Sequence, residues 1–333
     1  MLKFSILDLS PITERASAVD ALRDSVTLAR QVENFGYHRF WLAEHHNIPT
    51  IASAANTVII GQILAATKRL KVGAGGVMLP DHSPLVVAEQ YSTLAVYYPD
   101  RVDLGLGRAS GTDMATAQAL GRHLKTGDDF PRDAAEVIHF LGGSSTDNVR
   151  AMAASGTKVP VWILGTSLFG TELAARLGLP YVFAAHFAPG MLSQAKEVYT
   201  PRFQPSKRLS KPYFMMSVGV YGAETDKEAQ RISSSMKIHF AQLRTGQIGR
   251  LAYPIDNIAS FLPASLLAGV EQNMAVSAIG SPATVSRQLE QIISRHQPDE
   301  VLVSTMIHDP VARKRSFEIA ARALQEIGVK ELA

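Results

Sequence analysis

Residues 70–107 read LKVGAGGVMLPDHSPLVVAEQYSTLAVYYPDRVDLGLG, and this stretch decides the fold. Residues 70–79 (LKVGAGGVML) are a short, mostly apolar run that reads as a strand. Ser83-Pro84 then opens a helix, because serine can cap it and proline fits its first turn without losing a needed hydrogen bond. That helix ends before Pro99, and residues 102–107 (VDLGLG) form the next strand. Strand, helix and strand in so short a span make a βα unit that returns to a parallel strand.

The same alternation runs outward in both directions. Toward the N-terminus, residues 4–10 read as a strand. Ser17 and Asp20 open a helix as a capping-box-like pair, with Val19, Leu22, Val26 and Ala29 at helical spacing, and Gly36 stops it. Residues 39–46 (RFWLAEHH) are the second strand and 52–66 the second helix. Toward the C-terminus, residues 159–164 form a fifth strand, followed by a helix ending at Gly178. Residues 180–185 form a sixth and 213–221 a seventh, with a helix from about Asp226. Another helix starts at Ser281-Pro282. Residues 300–307 are the eighth strand, and Asp309-Pro310 starts the last helix. Eight strands, each followed by at least one helix, predict an α/β chain folded as a (β/α)8 TIM barrel. An open doubly wound sheet is the alternative, but it usually has fewer strands, and no G-x-G-x-x-G turn follows strand one. Residues 109–158 and about 240–275 exceed what a barrel needs. Both follow strands on the C-terminal face, where insertions act as lids or substrate walls. No linker divides the chain, so residues 1–333 read as one domain.

Composition sets the outer limits. With 46% hydrophobic and 19% charged residues, the chain can fill a core and is not disordered. No apolar run reaches the roughly 18 residues of a membrane span. The N-terminus runs straight into strand-like sequence without a signal-peptide pattern. Cysteine is absent, which excludes disulfides, thiolate metal sites and a cysteine nucleophile, and fits a cytoplasmic setting. The net charge of +3 comes from 33 basic and 30 acidic residues without a long Lys/Arg block, which argues against nucleic-acid or membrane binding.

A barrel carries its chemistry at the C-terminal ends of its strands. Strand two ends Glu44-His45-His46, offering a general base or acid near neutral pH. Alternation turns only one of the two imidazoles to the barrel mouth, and the plain alternative is a hydrogen-bonded structural histidine. The same alternation argues against a metal held by the adjacent pair. Strand three holds Gly73, Gly75 and Gly76, which mark either tight packing or a flat ligand lying against the chain. Strand four ends at Arg108, which can grip a phosphate or pair with a loop acid. Strand five runs into Gly165, Thr166, Ser167, Gly170 and Thr171 at a helix start, an anion site by its free N–H groups and dipole, or a helix simply capped by Ser167. Barrels more often hold phosphate after strands seven and eight, so Gly280-Ser281-Pro282 is a rival. His186, Ser304, Thr305 and His308 are weaker candidates, read as caps or wall residues. The chain has no G-x-S-x-G, H-E-x-x-H or Walker loop, which disfavours serine hydrolase, zincin and P-loop chemistry.

In this order the pieces resemble the bacterial luciferase-like flavin monooxygenases. The matching segments are WLAEHH (41–46), GVMLP (76–80) with Ser83-Pro84 and AEQ (88–90), RVDLGLGR (101–108), GTS (165–167), TELAA (171–175) and GLP (178–180). The resemblance covers the barrel from strand one to strand eight. It implies a barrel that binds reduced FMN and uses O2 on a small organic substrate. His45 would sit by the flavin and transfer protons, its tautomer fixed by Glu44 or a backbone carbonyl. Gly75-Gly76 would lie by the ring system, often with a non-prolyl cis peptide. The phosphate cradle falls on Gly165, Thr166, Ser167, Gly170 and Thr171, with Arg108 nearby. Thr166 and Gly170 depart from luciferase, which has an acidic and a hydroxyl residue there, and the luciferase-type substrate pocket is not recognisable. Light emission and a long-chain aldehyde substrate therefore do not follow. The resemblance further implies reduced FMN supplied by a separate flavin reductase, since no NAD(P)H fingerprint is present. It also implies a homodimer around helices two and three. Helix two is apolar almost all round, through Val58, Ile59, Ile60, Ile63 and Leu64.

Other functions stay open from the residues alone. A deazaflavin (F420)-dependent oxidoreductase could use the same fold without O2. A flavin-binding protein without turnover could use the same cradle. An isomerase or aldolase acting on a phosphorylated substrate would need a lysine or a carboxylate pair at strand ends, and none is evident.

Overall fold

The computed structural model describes residues 2–108, 113–121, 129–143 and 148–330. The chain passes through β1 (Lys3–Asp8), α1 (Ala18–Glu33), β2 (Arg39–Leu42), α2 (Asn56–Ala66), β3 (Lys71–Met78), α3 (Pro84–Tyr97) and β4 (Val102–Gly107). It continues through α4 (Met114–Ala119), α5 (Phe130–Phe140), β5 (Val161–Gly165), α6 (Leu168–Leu177), β6 (Tyr181–Phe183), α7 (Leu192–Arg202) and β7 (Phe214–Gly222). Last come α8 (Asp226–Thr245), α9 (Ile258–Phe261), α10 (Ala264–Asn273), β8 (Ser277–Gly280), α11 (Pro282–His296), β9 (Glu300–Ser304) and α12 (Pro310–Lys330). The sheet runs β6-β5-β4-β3-β2-β1-β9-β7, and a β6–β7 pairing closes it. Every ladder is parallel. This is the expected (β/α)8 barrel, and closure excludes the open doubly wound sheet.

Local signals account for much of it. Ser17 and Asp20 form a true capping box: the Ser17 N–H donates to Asp20 Oδ2 (2.8 Å) and the Asp20 N–H to Ser17 Oγ (3.3 Å). Gly178 caps α6 in the left-handed conformation (φ 61°). Ser83 sits at the N-cap of α3 with Pro84 behind it, but its hydroxyl makes no capping bond, so the proline carries that signal. Strand β2 is shorter than the reading of residues 39–46: it stops at Leu42. A ninth strand, β8, was not expected. It pairs with Gly219 to Gly222 of β7, beyond the segment paired with β6, and its four residues are too few to carry a periodic pattern.

The barrel interior explains the glycines. The chain's two tryptophans, Trp41 and Trp162, both lie inside, edge to face at 5.2 Å, in a cluster with Leu7, Leu164, Val182, Met215 and Leu302. A Cβ on Gly73 would stand 2.2 Å from the Asp103 carbonyl oxygen, and one on Gly105 would stand 2.4 Å from that of Ala74. The strands can take glycine alone there because the neighbouring strand's backbone already occupies the space. Toward the N-terminal end, Arg39 pairs with buried Asp103 (2.6 Å) and Glu300 (3.0 Å). The Trp41 Nε1–H donates to Asp103 (3.1 Å) and the Tyr213 hydroxyl to Glu300 (2.7 Å). That end is plugged by charge satisfied by charge. At the other end the inward positions are small: by alternation from Met215 and Leu302, they are Ser217, Gly219 and Ser304. These inward positions are small and buried, whereas the barrel centre is filled by the indoles.

The two long insertions, expected as lids or substrate walls, are largely packed where they are described. Residues 109–112, 122–128 and 144–147 of the first lie outside the described residues. In the rest, α5 buries Phe130, Ala134 and Val137 against α3, which makes it a barrel helix of its own βα unit. The second insertion has a separate core, in which Met236 and Phe240 of α8 pack with Leu251, Leu262, Val270, Met274, Met306 and Ile307. It is a packed cap, built on the strand ends of β7 and β9.

Candidate active site

Past the end of β2 the chain leaves the sheet, and the side chains of Glu44 and His46 turn toward each other. Glu44 is buried (1% exposed), and both its oxygens are taken. Oε1 accepts from His82 Nε2 (2.5 Å) and His46 Nε2 (3.0 Å), and Oε2 accepts from Asn56 Nδ2 (3.0 Å). Burial works to raise the Glu44 pKa, but the two imidazole bonds and their charges outweigh it and hold the carboxyl below its usual range. The bond to Glu44 conversely raises His46. Of the two partners expected for the His45 tautomer, Glu44 or a backbone carbonyl, Glu44 is engaged with His46, His82 and Asn56.

His45 acts in another direction. His186 is pushed down to about 4, by burial first and by the charge of His45 second. His239 is pushed down to about 4 by the same two causes in the same order. Both stay neutral at physiological pH. Thr50 donates its hydroxyl to the Gly249 carbonyl (2.6 Å), so at 3.4 Å its oxygen is left to accept from His239 Nδ1–H. That tautomer leaves the Nε2 lone pair of His239 unprotonated. His186 is held by Ser217, whose Oγ lies 2.6 Å from Nδ1 and accepts the His186 backbone N–H at 3.1 Å. His45 after β2 is thus near enough to His186 after β6 and to His239 of α8 to act on both, and His186 is anchored on Ser217.

The turn after β5 has the features of an anion cradle. Gly165 ends the strand and Ser167 is the N-cap of α6, with a hydroxyl that makes no capping bond. The simple-cap reading of Ser167 therefore fails. The N–H groups of residues 168–170 have no acceptor inside the helix. Arg108, exposed at the end of β4, places its guanidinium 4.4 Å from the centre of the Phe169 ring in that first turn. Gly165 and Gly170 both face Tyr181, whose hydroxyl donates to the Ser167 carbonyl (3.2 Å). Thr166 lies between strand and cap, half-buried. Thr171 is buried and donates its hydroxyl to the same carbonyl (3.1 Å), so its side chain shapes the turn from within.

The Gly75-Gly76 peptide is cis, and the β3–β4 register shifts between Ala74 and Val77. A Cβ on Gly75 would meet Leu7 at 2.7 Å, and one on Gly76 would meet the Gly105 carbonyl at 2.9 Å. The backbone contact gives Gly76 a packing reason, whereas Gly75 meets the end of a leucine side chain, and both readings of the strand stay open. The rival anion site at Ser281 already holds a carboxylate: Asp226 Oδ1 accepts the Ser281 N–H at 2.6 Å. Among the weaker candidates, Thr305 donates to the Val220 carbonyl (3.0 Å), Ser304 is buried, and His308 stacks on Tyr253 at 4.0 Å. These are wall positions, as read. Surface clefts of about 510 and 730 Å³ lie against α11 and α12 and beside α7 and α10; of the candidate residues, only Pro282 of the rival anion site lines either.

The sequence reading missed His82, Asn56 and His239. His82 stands directly before Ser83-Pro84, and its proximity to Glu44 is set by the β2–β3 pairing, which no local pattern records. His239 comes from the insertion helix, so only the tertiary fold brings it to the mouth.

The family model for luciferase-like monooxygenases matches residues 2–296. A luciferase-like monooxygenase of Escherichia coli K12 is 47% identical over 326 residues, covering 97% of each chain. The crystal structure of apo-MsnO8 superposes with a TM-score of 0.87 at 33% identity, covering 98% of this chain and 99% of that one. Two more distant structures share the fold alone. One is the oxygenating constituent of 3,6-diketocamphane monooxygenase from Pseudomonas putida, in complex with FMN, at TM-score 0.72 and 16% identity. It covers 98% of each chain. The other is an F420-dependent secondary alcohol dehydrogenase at TM-score 0.71 and 14% identity, covering 97% of this chain and 99% of that one. With the family match spanning nearly the whole barrel and the closed sheet and clustered histidines already in place, the chain belongs to the luciferase-like monooxygenase family.

Proposed function

We propose that the protein is a monooxygenase that uses reduced FMN and O2 on a small organic substrate. The observation that carries this reading is the α6 N-terminus with Arg108 stacked on Phe169. It offers unpaired N–H groups, the free Ser167 hydroxyl and one cation, a donor set that suits a phosphate monoester. The residues present therefore fit the cofactor. Residues 165–171 would bind its phosphate through backbone N–H groups, with Gly165 and Gly170 keeping the turn tight against Tyr181. Gly75 and Gly76 would bring the β3 backbone beside the ring system. When bound, reduced flavin supplies the electrons that activate O2. His45 would hold or move a proton at the reacting centre. The packed cap and the neutral His186 and His239 would limit water and stray charge there. Reduced FMN would come from a separate reductase, and the active form would be a cytoplasmic homodimer. Among the described residues, no helix is long and apolar enough to cross a membrane.

The test is equilibrium dialysis with FMN, reduced FMN and F420, followed by oxygen uptake by the loaded protein. Tighter binding of reduced FMN and consumption of O2 are expected. Binding of the deazaflavin with neither redox state of FMN would overturn the reading in favour of oxygen-independent hydride transfer.

A further inference from the structure

The cluster of Glu44, His46 and His82 lies outside the flavin cradle and outside the work assigned to His45. Its ligand-type atoms, one carboxylate oxygen and two imidazole Nε2, lie within 4.8 Å of one another. The two nitrogens converge on the same oxygen, Glu44 Oε1, at 2.5 and 3.0 Å. The three side chains come from two connections, the one after β2 and the one between β3 and α3. Asn56, buried at the start of α2, donates to the other oxygen of Glu44 (3.0 Å) and so orients the carboxylate. A ligating carboxylate held by an outer amide is the usual second layer of a metal site. Glu44 is buried, while His82 is 31% exposed, so an ion has an entry path on the His82 side.

We propose that Glu44, His46 and His82 form a site for one divalent first-row transition-metal ion of the zinc(II) kind, which ties the segment bearing His45 to the β3–α3 connection. Two imidazoles and one carboxylate are a donor set for zinc and its neighbours and not for calcium or magnesium, which take oxygen ligands. Three protein ligands leave a fourth position for water. On binding, the ion replaces the two N–H···O bonds: each Nε2 gives its lone pair to the metal, and any proton carried there leaves to solvent. The site stands whether or not the flavin reading holds, because none of its three ligands belongs to the cradle.

The test uses the full chain stripped with a chelator and dialysed, then titrated with Zn(II) by calorimetry at fixed pH. One ion per chain is expected, with a Kd of about 1 μM or tighter. His46→Ala and His82→Ala should each weaken binding at least about 100-fold, and Asn56→Ala about 10-fold or more. His139→Ala, at an exposed position of α5, should leave the affinity unchanged. Zinc should raise the Tm of the unaltered protein and not that of His82→Ala. No saturation up to about 100 μM Zn(II) would overturn the proposal, as would one-to-one binding indifferent to both histidine substitutions. Should the variants fail to fold, the visible spectrum of the unaltered protein with Co(II) decides. Intense tetrahedral d–d bands support the site, and weak octahedral bands or none overturn it.

Discussion

His45 and His46 are neighbours in sequence with different surroundings, which makes them a matched pair for mutation. His46 is fixed by a buried carboxylate, whereas His45 stands toward two neutral imidazoles. If His45 handles the proton, His45→Ala should keep the fold and FMN binding and lower turnover by roughly two to four orders of magnitude. Single-turnover oxidation of bound reduced flavin with a working substrate reads this. Loss only in His46→Ala would move the role by one residue, and loss of fold in His45→Ala would make it a structural histidine. His186 and His239 make a separate prediction about pH. Their folded pKa values of about 4 lie below the ordinary 6.5, so the unfolded chain binds more protons between those limits. Their contribution to stability is complete above pH about 6.5 and is lost as pH falls toward about 4, by up to roughly 3 kcal/mol each. His186→Gln and His239→Gln should flatten that fall in urea melts run across the range, and an unchanged slope in both would show that other groups carry it. At this scale the sequence was half legible. The HH pair at a strand end marked the place, but the partner of Glu44 lay beyond any local pattern. His82 reaches it only because β2 and β3 pair.

Strand and turn signals were legible where backbone chemistry is local. The Ser17–Asp20 capping box, Pro84 and Gly178 all act within one helical turn, and each marks the boundary expected of it. Strand β8 and the early end of β2 were not legible, because their lengths are set by neighbouring strands. The glycines of β3 show the same division. Their presence signalled a special strand, but only the fold tells which wall they press on. Gly73 gives the sharpest test, since an added methyl would fall 2.2 Å from a backbone carbonyl that cannot rotate away. Gly73→Ala should cost about 1–3 kcal/mol or more, as overpacking in a closed barrel does. Gly121, with no atom within 4 Å of an added Cβ but a φ of +70°, is the comparison: its penalty comes from backbone strain alone. A lowered urea midpoint is expected for Gly73→Ala, and one equal to that of the unaltered protein would mean that β3 and β4 can slide apart.

At the scale of the whole molecule, the alternation of strands and helices gave the barrel, because closure needs only the right number of βα units. What alternation could not give is which apolar residues the barrel itself covers. Of the five apolar residues on α2 that pointed to a dimer, Ile59, Ile60, Ile63 and Leu64 are buried in the protomer, and Val58 alone is left at 66% exposed. The argument for pairing therefore moves to a surface shared with α3. Gly61 packs against Leu94, joining the two helices, and Val96 and Tyr97 at the end of α3 are 56% and 74% exposed. An isolated valine outside needs no explanation, so the pairing argument rests on the exposed Val96 and Tyr97 at the end of α3. A stable dimer would bury about 1,200–2,000 Å² in all, so the polar rim of both helices must take part. Sedimentation at micromolar concentration should give a dimer. Val96→Asp with Tyr97→Asp should give a folded monomer, because each side chain would carry an unpaired charge into the contact. A monomer before any substitution would remove the proposed pairing. A dimer that survives the double substitution would place the contact elsewhere on the barrel.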